Sequence, residues 1–210
     1  MAICPGPGRL RAVAATPALL RPGPVGACGL DEVGRGALAG PLVAAAVVLT
    51  PGFRDPLLRD SKRLTARQRE AVEPRIRAAA VACAVLEVQA GEIDARGIGW
   101  ANRHVFEQLI AEVVAAAYLC DGNLRLSTAR PYTAIVGGDG QVDVIAAAAI
   151  VAKVHRDRLM VRLHDEAPVY GWAQNKGYGS AAHLAALRAH GPHRHHRGSF
   201  LHGILGLPLT

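Results

Sequence analysis

Beyond its first 24 positions the chain is built from short apolar runs, each stopped by glycine or by an acidic residue. Val25 to Leu30 reads as a strand, Gly34-Arg35-Gly36 as a turn, and Leu42 to Leu49 as a second strand. The short glycine-rich connection between them predicts an antiparallel hairpin. Thr65 is placed to cap a helix running to about Ala79, and Pro74 inside it is expected to kink or break that helix. Val81 to Val88 alternates as a third strand. Helices follow over Gly91 to Arg96 and Gly99 to Ala115, and strands over Ala116 to Cys120 and Thr133 to Val136. A long helix covers Val142 to His164 and a shorter one Ser180 to Ala189. Strands first, then strands alternating with helices, predict an α/β fold with a mixed central sheet flanked by helices.

The expected division is a flexible N-terminal extension over 1–24, an α/β domain over 25–167, and a small helical cap with a basic tail over 168–210. Apolar runs reach only eight or nine residues. A membrane-spanning helix needs about twenty, so no membrane partner is expected. Four cysteines (Cys4, Cys28, Cys83, Cys120) form no C-x-x-C pair, which fits buried reduced thiols and a cytoplasmic setting. The formal charge of +7 points to an anionic partner. Its placement says more than its sum. Beyond Glu166 there are four cations (Lys176, Arg188, Arg194, Arg197), no acid, and six of the nine histidines.

Four carboxylates stand where apolar runs stop: Asp31 and Glu32 after the first strand, Asp121 after the strand from Ala116, and Asp139 after the strand from Thr133. Strand ends of one sheet can converge, and clustered carboxylates repel one another unless a cation lies between them. Oxygen-only donors favour a hard ion such as Mg²⁺ or Mn²⁺, and two such ions serve phosphodiester hydrolysis. Any one of these acids, taken alone, is equally an ordinary turn residue.

Several other segments admit two readings. Gly34-Arg35-Gly36 is either a hairpin turn or a backbone surface that a ligand can approach closely. Asp60-Ser61-Lys62-Arg63 is either a helix cap or a phosphate contact. Lys153, Arg156 and Asp157 share one helix face, as a surface ion-pair set or as phosphate contacts. In Asn175-Lys176-Gly177-Tyr178-Gly179 the tyrosine is free to stack on a sugar or base. His193-Arg194-His195-His196-Arg197 lacks the partners of a zinc site and reads as phosphate contact or plain solvation.

At this point the chain resembles the ribonuclease HII family. Gly29-Leu30-Asp31-Glu32-Val33-Gly34-Arg35-Gly36-Ala37-Leu38-Ala39-Gly40-Pro41 is similar to that family's N-terminal signature. Asp60-Ser61-Lys62-Arg63-Leu64, Asp121-Gly122, Gly138-Asp139, Ala147 to Ile150 with Ala152-Lys153-Val154 and Arg156-Asp157, Asn175 to Gly179, His183, and His196-Arg197 with Ser199-Phe200 follow in the family's order. The resemblance implies an RNase H-like fold with a small C-terminal helical part, and a catalytic domain over 25–167. It implies metal-dependent endonucleolytic cleavage of RNA in RNA–DNA hybrids and 5′ of ribonucleotides embedded in duplex DNA, leaving 3′-hydroxyl and 5′-phosphate ends. Asp31, Glu32, Asp121 and Asp139 are then the catalytic metal ligands for two ions, Mn²⁺ or Mg²⁺. Gly34, Arg35 and Gly36 would read the ribose 2′-hydroxyl, Tyr178 would stack on the following deoxyribose, and Ser61, Lys62, Lys153 and the basic C-terminal part would hold phosphates. A monomer engaged in ribonucleotide removal is expected.

Three positions depart from the family pattern: Ala149 where serine is usual, His155 where threonine is frequent, and Pro74. The first 24 residues match nothing in it. Ribonuclease HIII is a near alternative, disfavoured by the arginine of Gly34-Arg35-Gly36. A binding protein with a dead site is disfavoured too, because acids facing phosphates weaken binding.

Overall fold

The computed structural model describes residues 20–58 and 64–205. Five strands form one sheet: β1 (Ala27–Val33), β2 (Leu42–Leu49), β3 (Ala80–Val88), β4 (Ala117–Asp121) and β5 (Tyr132–Ile135). Their order is β3-β2-β1-β4-β5. The expected hairpin is present, with β1 antiparallel to β2 and Asp31 opposite Ala45. β4 runs parallel to β1, and β5 parallel to β4. The carboxyl ends of these three strands therefore share one edge, where ligands of α/β sheets bind.

Seven α-helices complete the described chain: α1 (Ala66–Ala79), α2 (Ala90–Arg96), α3 (Ile98–Glu112), α4 (Asp143–Glu166), α5 (Trp172–Asn175), α6 (Ala181–His190) and α7 (Gly198–Leu205). Alternation along β2 divides the core. Val43, Ala45 and Val47 pack with Val72 and Ile76 of α1 and with Ile145, Ala148 and Ile150 of α4. Leu42, Ala44 and Ala46 pack on the other face with Ile93 of α2 and with Val105, Phe106 and Leu109 of α3.

α4 is the central support, and its alanine-rich first half lets it lie close to the sheet. The approach is tightest at Gly29, where a Cβ would stand 2.1 Å from the carbonyl carbon of Val144. Only glycine fits there, which explains its place two residues before Asp31.

Three sequence expectations change. α1 runs unbroken through Pro74. Pro74 and Glu70 are both exposed, so the carbonyl freed by the missing N–H is on the solvent side of the helix, while Val72 and Ile76 anchor the helix. At its start Thr65 and Gln68 form the reciprocal capping box. The third helix ends at Glu112, earlier than Ala115, and Asp121 lies inside β4 instead of after it.

The C-terminal helical part packs Tyr170, Trp172, Leu187 and Leu201 against Met160 and Leu163 of α4 and against Leu38-Ala39 after the first strand. It thereby closes over the loop that contains Gly34-Arg35-Gly36.

Candidate active site

Asp31 and Glu32 come from the end of β1, Asp121 from the end of β4, and Asp139 from the 3-10 turn Gly138–Gly140 that leads into α4. All four line one cavity of about 390 Å³, together with Val33 to Gly36, Ala149, Lys153 and Tyr178. Strand alternation puts Asp31 on the α4 side with Gly29, and Glu32 on the other. Local hydrogen bonds fix the acids. The Glu32 N–H donates to Asp31 Oδ1 at 2.7 Å, and the Gly138 N–H donates to Asp121 Oδ1 at 2.6 Å. The second bond ties the end of β4 to the turn that carries Asp139.

The acids are electrostatically uncomfortable. Burial holds the Asp31 carboxyl well above the usual carboxylate range, and Glu32, Asp121 and Asp139 add repulsion. Burial also raises Glu32, with Arg35 pulling the other way through a 3.3 Å contact. Among the described residues no three acids, histidines or cysteines are already closed around a metal position. The four acids line an open cavity, as mutually repelling carboxylates should. Its lining offers carboxylate oxygens and neither thiolate nor imidazole, a donor set suited to hard divalent cations.

The glycines beside the acids have different causes. Gly34 has φ +95°, and a Cβ there would sit 2.3 Å from Arg156 Nε. Gly36 has an ordinary φ, and a Cβ there would meet nothing within 4 Å. The folded chain itself makes no demand for glycine at 36, so the open space before it is available to a ligand. Arg35 is exposed and points back to Glu32.

Lys153 lines the cavity and donates to Asp157 at 2.7 Å. Arg156, expected on the same surface, is fully buried beneath the loop. That reading of a shared surface face is corrected: one turn of α4 carries Lys153 and Asp157 outward and Arg156 inward. Tyr178 stands half-exposed at the rim, its ring centroid 5.4 Å from Arg156 Cζ. Ser61 and Lys62 lie outside the described residues. Ala149 presents a methyl to the cavity where the family pattern has a hydroxyl. His155 points away, and its Nε2 lies 2.6 Å from Glu87 on β3, holding that carboxyl below its usual range.

The histidine-rich segment also reads differently in three dimensions. His196 and Arg197 are buried, and Arg194 pairs with Glu166. His183 Nδ1 lies 2.9 Å from the Tyr178 carbonyl, which only accepts, so Nδ1 carries the proton. His183 Nε2 is then bare and accepts from Trp172 Nε1 at 3.2 Å and from His196 Nε2 at 3.0 Å. His196 Nδ1 accepts the His193 N–H at 2.9 Å, leaving its proton on Nε2. The bond from Trp172 needs a bare His183 Nε2 and the bond from the His193 N–H a bare His196 Nδ1, so both rings are neutral, and burial pushes His196 down to about 4. Behind Tyr178, His183 and His196 thus form a neutral, hydrogen-bonded relay, while Arg194 pairs with Glu166 at the surface and Arg197 is buried. Sequence reasoning missed it because nothing local separates a buried histidine from an exposed one.

A family model described as Ribonuclease HII matches residues 28–202. The chain belongs to the ribonuclease HII family. Ribonuclease HII of Thiobacillus denitrificans is 48% identical over 183 residues, covering 86% of this chain and 90% of the relative. That of Burkholderia mallei is 47% identical over 175 residues, covering 82% of each. Among solved structures, the ribonuclease H2 of Pyrococcus horikoshii superposes with a TM-score of 0.71 at 23% identity, covering 86% of this chain and 97% of that one. The RNase HII in the PCNA complex from Archaeoglobus fulgidus gives 0.72 at 24% identity, covering 82% and 94%. These two show the fold, which is RNase H-like as the resemblance implied. Membership makes the chain a metal-dependent endoribonuclease acting on RNA–DNA substrates. Among the described residues no helix is long and apolar enough to cross a membrane.

Proposed function

We propose that this enzyme cuts the RNA strand of RNA–DNA hybrids and cleaves 5′ of ribonucleotides embedded in duplex DNA, serving their removal as a cytoplasmic monomer. The observation that carries this reading is the shared cavity. Four acids from β1, β4 and the turn before α4 meet a glycine backbone surface and an aromatic ring there. Asp31, Glu32, Asp121 and Asp139 would hold two divalent ions, Mn²⁺ or Mg²⁺. When bound, these supply a water activated for in-line attack and charge stabilisation for the leaving 3′ oxygen.

The remaining roles belong to the chain. The backbone at Gly34 to Gly36 lies open beside the acids, where it can hydrogen-bond a 2′-hydroxyl, the group that separates RNA from DNA. Tyr178 offers a ring to the next sugar, which favours an RNA–DNA junction. Lys153 places a positive charge at the acid wall, suited to the phosphate that enters, and Ser61 and Lys62 are read as further phosphate contacts. Phosphodiester hydrolysis in this orientation leaves a 3′-hydroxyl and a 5′-phosphate.

The test is incubation with duplex DNA carrying one ribonucleotide, with Mg²⁺, with Mn²⁺ and with chelator. A metal-dependent cut 5′ of the ribonucleotide is expected. No cut there with either metal, alongside cleavage of a long hybrid, would remove the embedded-ribonucleotide reading.

A further inference from the structure

Among the described residues Arg156 is, with Arg197, one of two fully buried arginines whose hydrogen-bond partners include no carboxylate. Its guanidinium instead donates to three backbone carbonyls. Nε reaches Pro41 O at 2.9 Å, Nη2 reaches Ala39 O at 3.0 Å, and Nη1 reaches Lys176 O at 2.9 Å. The first two carbonyls belong to the segment running on from Gly34-Arg35-Gly36. The third belongs to the loop that carries Tyr178. The same guanidinium fills the space beside Gly34 and lies near the Tyr178 ring. One side chain thus touches both loops of the cavity rim.

The two loops are also laced directly. Gly177 O accepts the N–H groups of Leu38 at 2.8 Å and Ala39 at 3.2 Å. A Cβ at Gly177 would stand 2.3 Å from Ala39 O, so the contact is as close as two backbones can come. Lys176 is the one described non-glycine residue with positive φ, at +52°. Such a conformation costs about 1 kcal/mol or more, and the carbonyl held by Arg156 is that of the strained residue itself.

A buried cation is an expensive way to fill space, since burial works against its charge. An apolar side chain would pack there at less cost. What arginine alone offers is a planar fork of fixed donors that reaches three acceptors at once. Lysine, with one ammonium, cannot hold all three carbonyls at these separations.

We propose that Arg156 is a positioning residue that sets the spacing between the Gly34–Gly36 backbone and the Tyr178 ring, and so fixes the register of cleavage at an RNA–DNA junction. It rests on the assignment of those two loops to the ribose and to the following sugar. Long hybrids offer a ribose at every step and tolerate a looser spacing, whereas a single embedded ribonucleotide admits one register.

The experiment compares wild type, Arg156→Lys, Tyr178→Ala and the double variant on a single-ribonucleotide duplex and on a long hybrid, recording kcat, KM and the cut position. Misplacement of this order costs about a hundredfold, so Arg156→Lys should lose about that much on the single-ribonucleotide duplex, with cuts spreading to neighbouring positions. On the long hybrid the loss should be several-fold smaller. The double variant should be no worse on the junction than the poorer single variant. Equal losses on both substrates with an unchanged cut position, or additive losses in the double variant, would overturn the proposal. If Tyr178→Ala is junction-selective and Arg156→Lys is not, the positioning role alone falls. If Tyr178→Ala is itself unselective, the loop assignment falls first. Arg156→Gln, which leaves no charge in the site, replaces the lysine variant should that one fail to melt cooperatively, and is judged by the same two outcomes.

Discussion

The two walls of the cavity bury charge in opposite ways. On the sheet side, Asp31 and Asp139 are buried next to Glu32 and Asp121, so like charges face each other. On the helical side, Arg156 and Arg197 are buried, yet backbone carbonyls meet their donors. Arg197 Nε and Nη2 reach Gly40 O at 3.0 and 2.9 Å, and Nη1 reaches Arg35 O at 3.0 Å. Burial, with Arg156 nearby, brings the Arg197 guanidinium down to about 10, which still leaves it charged at neutral pH. The acidic wall is held in an unfavourable state that a cation relieves, whereas the basic wall is already satisfied and braces the loops. One region stores the requirement for a ligand and the other supplies rigidity. Removing an acid from the first should therefore alter chemistry more than folding, whereas removing the Arg197 fork from the second should alter folding more than chemistry.

The largest expected effect lies on the acidic wall. Asp121→Asn should retain the hydrogen bond from Gly138 while losing a metal-binding charge. Metal ions contribute several kcal/mol to such reactions, so cleavage should fall about a thousandfold with the urea midpoint almost unchanged. Activity within a few-fold of wild type would take Asp121 out of the site. On the basic wall Arg197→Met should do the opposite. The buried Gly40 carbonyl and the part-buried Arg35 carbonyl lose their donors, at about 1–3 kcal/mol each, so urea unfolding should show a loss of about 2–6 kcal/mol. An unchanged midpoint would mean that the brace is not needed.

Tyr178→Ala probes the rim between the walls. Stacking contributes about 1–3 kcal/mol per base, so kcat/KM on single-ribonucleotide duplexes should fall about tenfold to a hundredfold, and less on long hybrids. The smallest effect is a pH dependence. His183 and His196 are kept neutral, with His183, His193 and His195 as the titratable neighbours that oppose charge on His196. The unfolded chain binds a proton at His196 near the ordinary value of 6.5, and the folded one only near 4. Stability should therefore be full above pH 6.5 and decline as the pH falls towards 4. By pH 5 the loss from His196 should be about 2 kcal/mol, absent in His196→Gln. A variant with the same acid slope as wild type would exclude the relay as its source.

The sheet was legible because its signals are local. Leu42–Leu49 is a continuous apolar run, and the glycine-rich break before it fits a hairpin. The acids were legible as strand ends, and the family resemblance supplied their roles. Hidden from the sequence was the inside-out placement of cations. Arg156 and Arg197 look like surface residues in any composition count, and only the carbonyls of residues 35–41 and 176, distant in sequence, make their burial possible. The same applies to His196, whose neutrality depends on Trp172 and His183 on separate helices. Pro74 does not break its helix for a simpler reason: its position is exposed, so the carbonyl that loses its donor is on the solvent side.

The contrast between the walls is tested most directly by the stability of Asp31→Asn with and without Mn²⁺. The asparagine keeps an acceptor for the Glu32 N–H and removes one of the mutually repelling charges. Without metal the variant should be more stable than wild type by about 1–2 kcal/mol. Mn²⁺ at a hundredfold above its dissociation constant should stabilise wild type by about 2.7 kcal/mol and the variant far less. A variant less stable than wild type without metal, or a wild type whose unfolding ignores Mn²⁺, would contradict an acidic wall that waits for its cations.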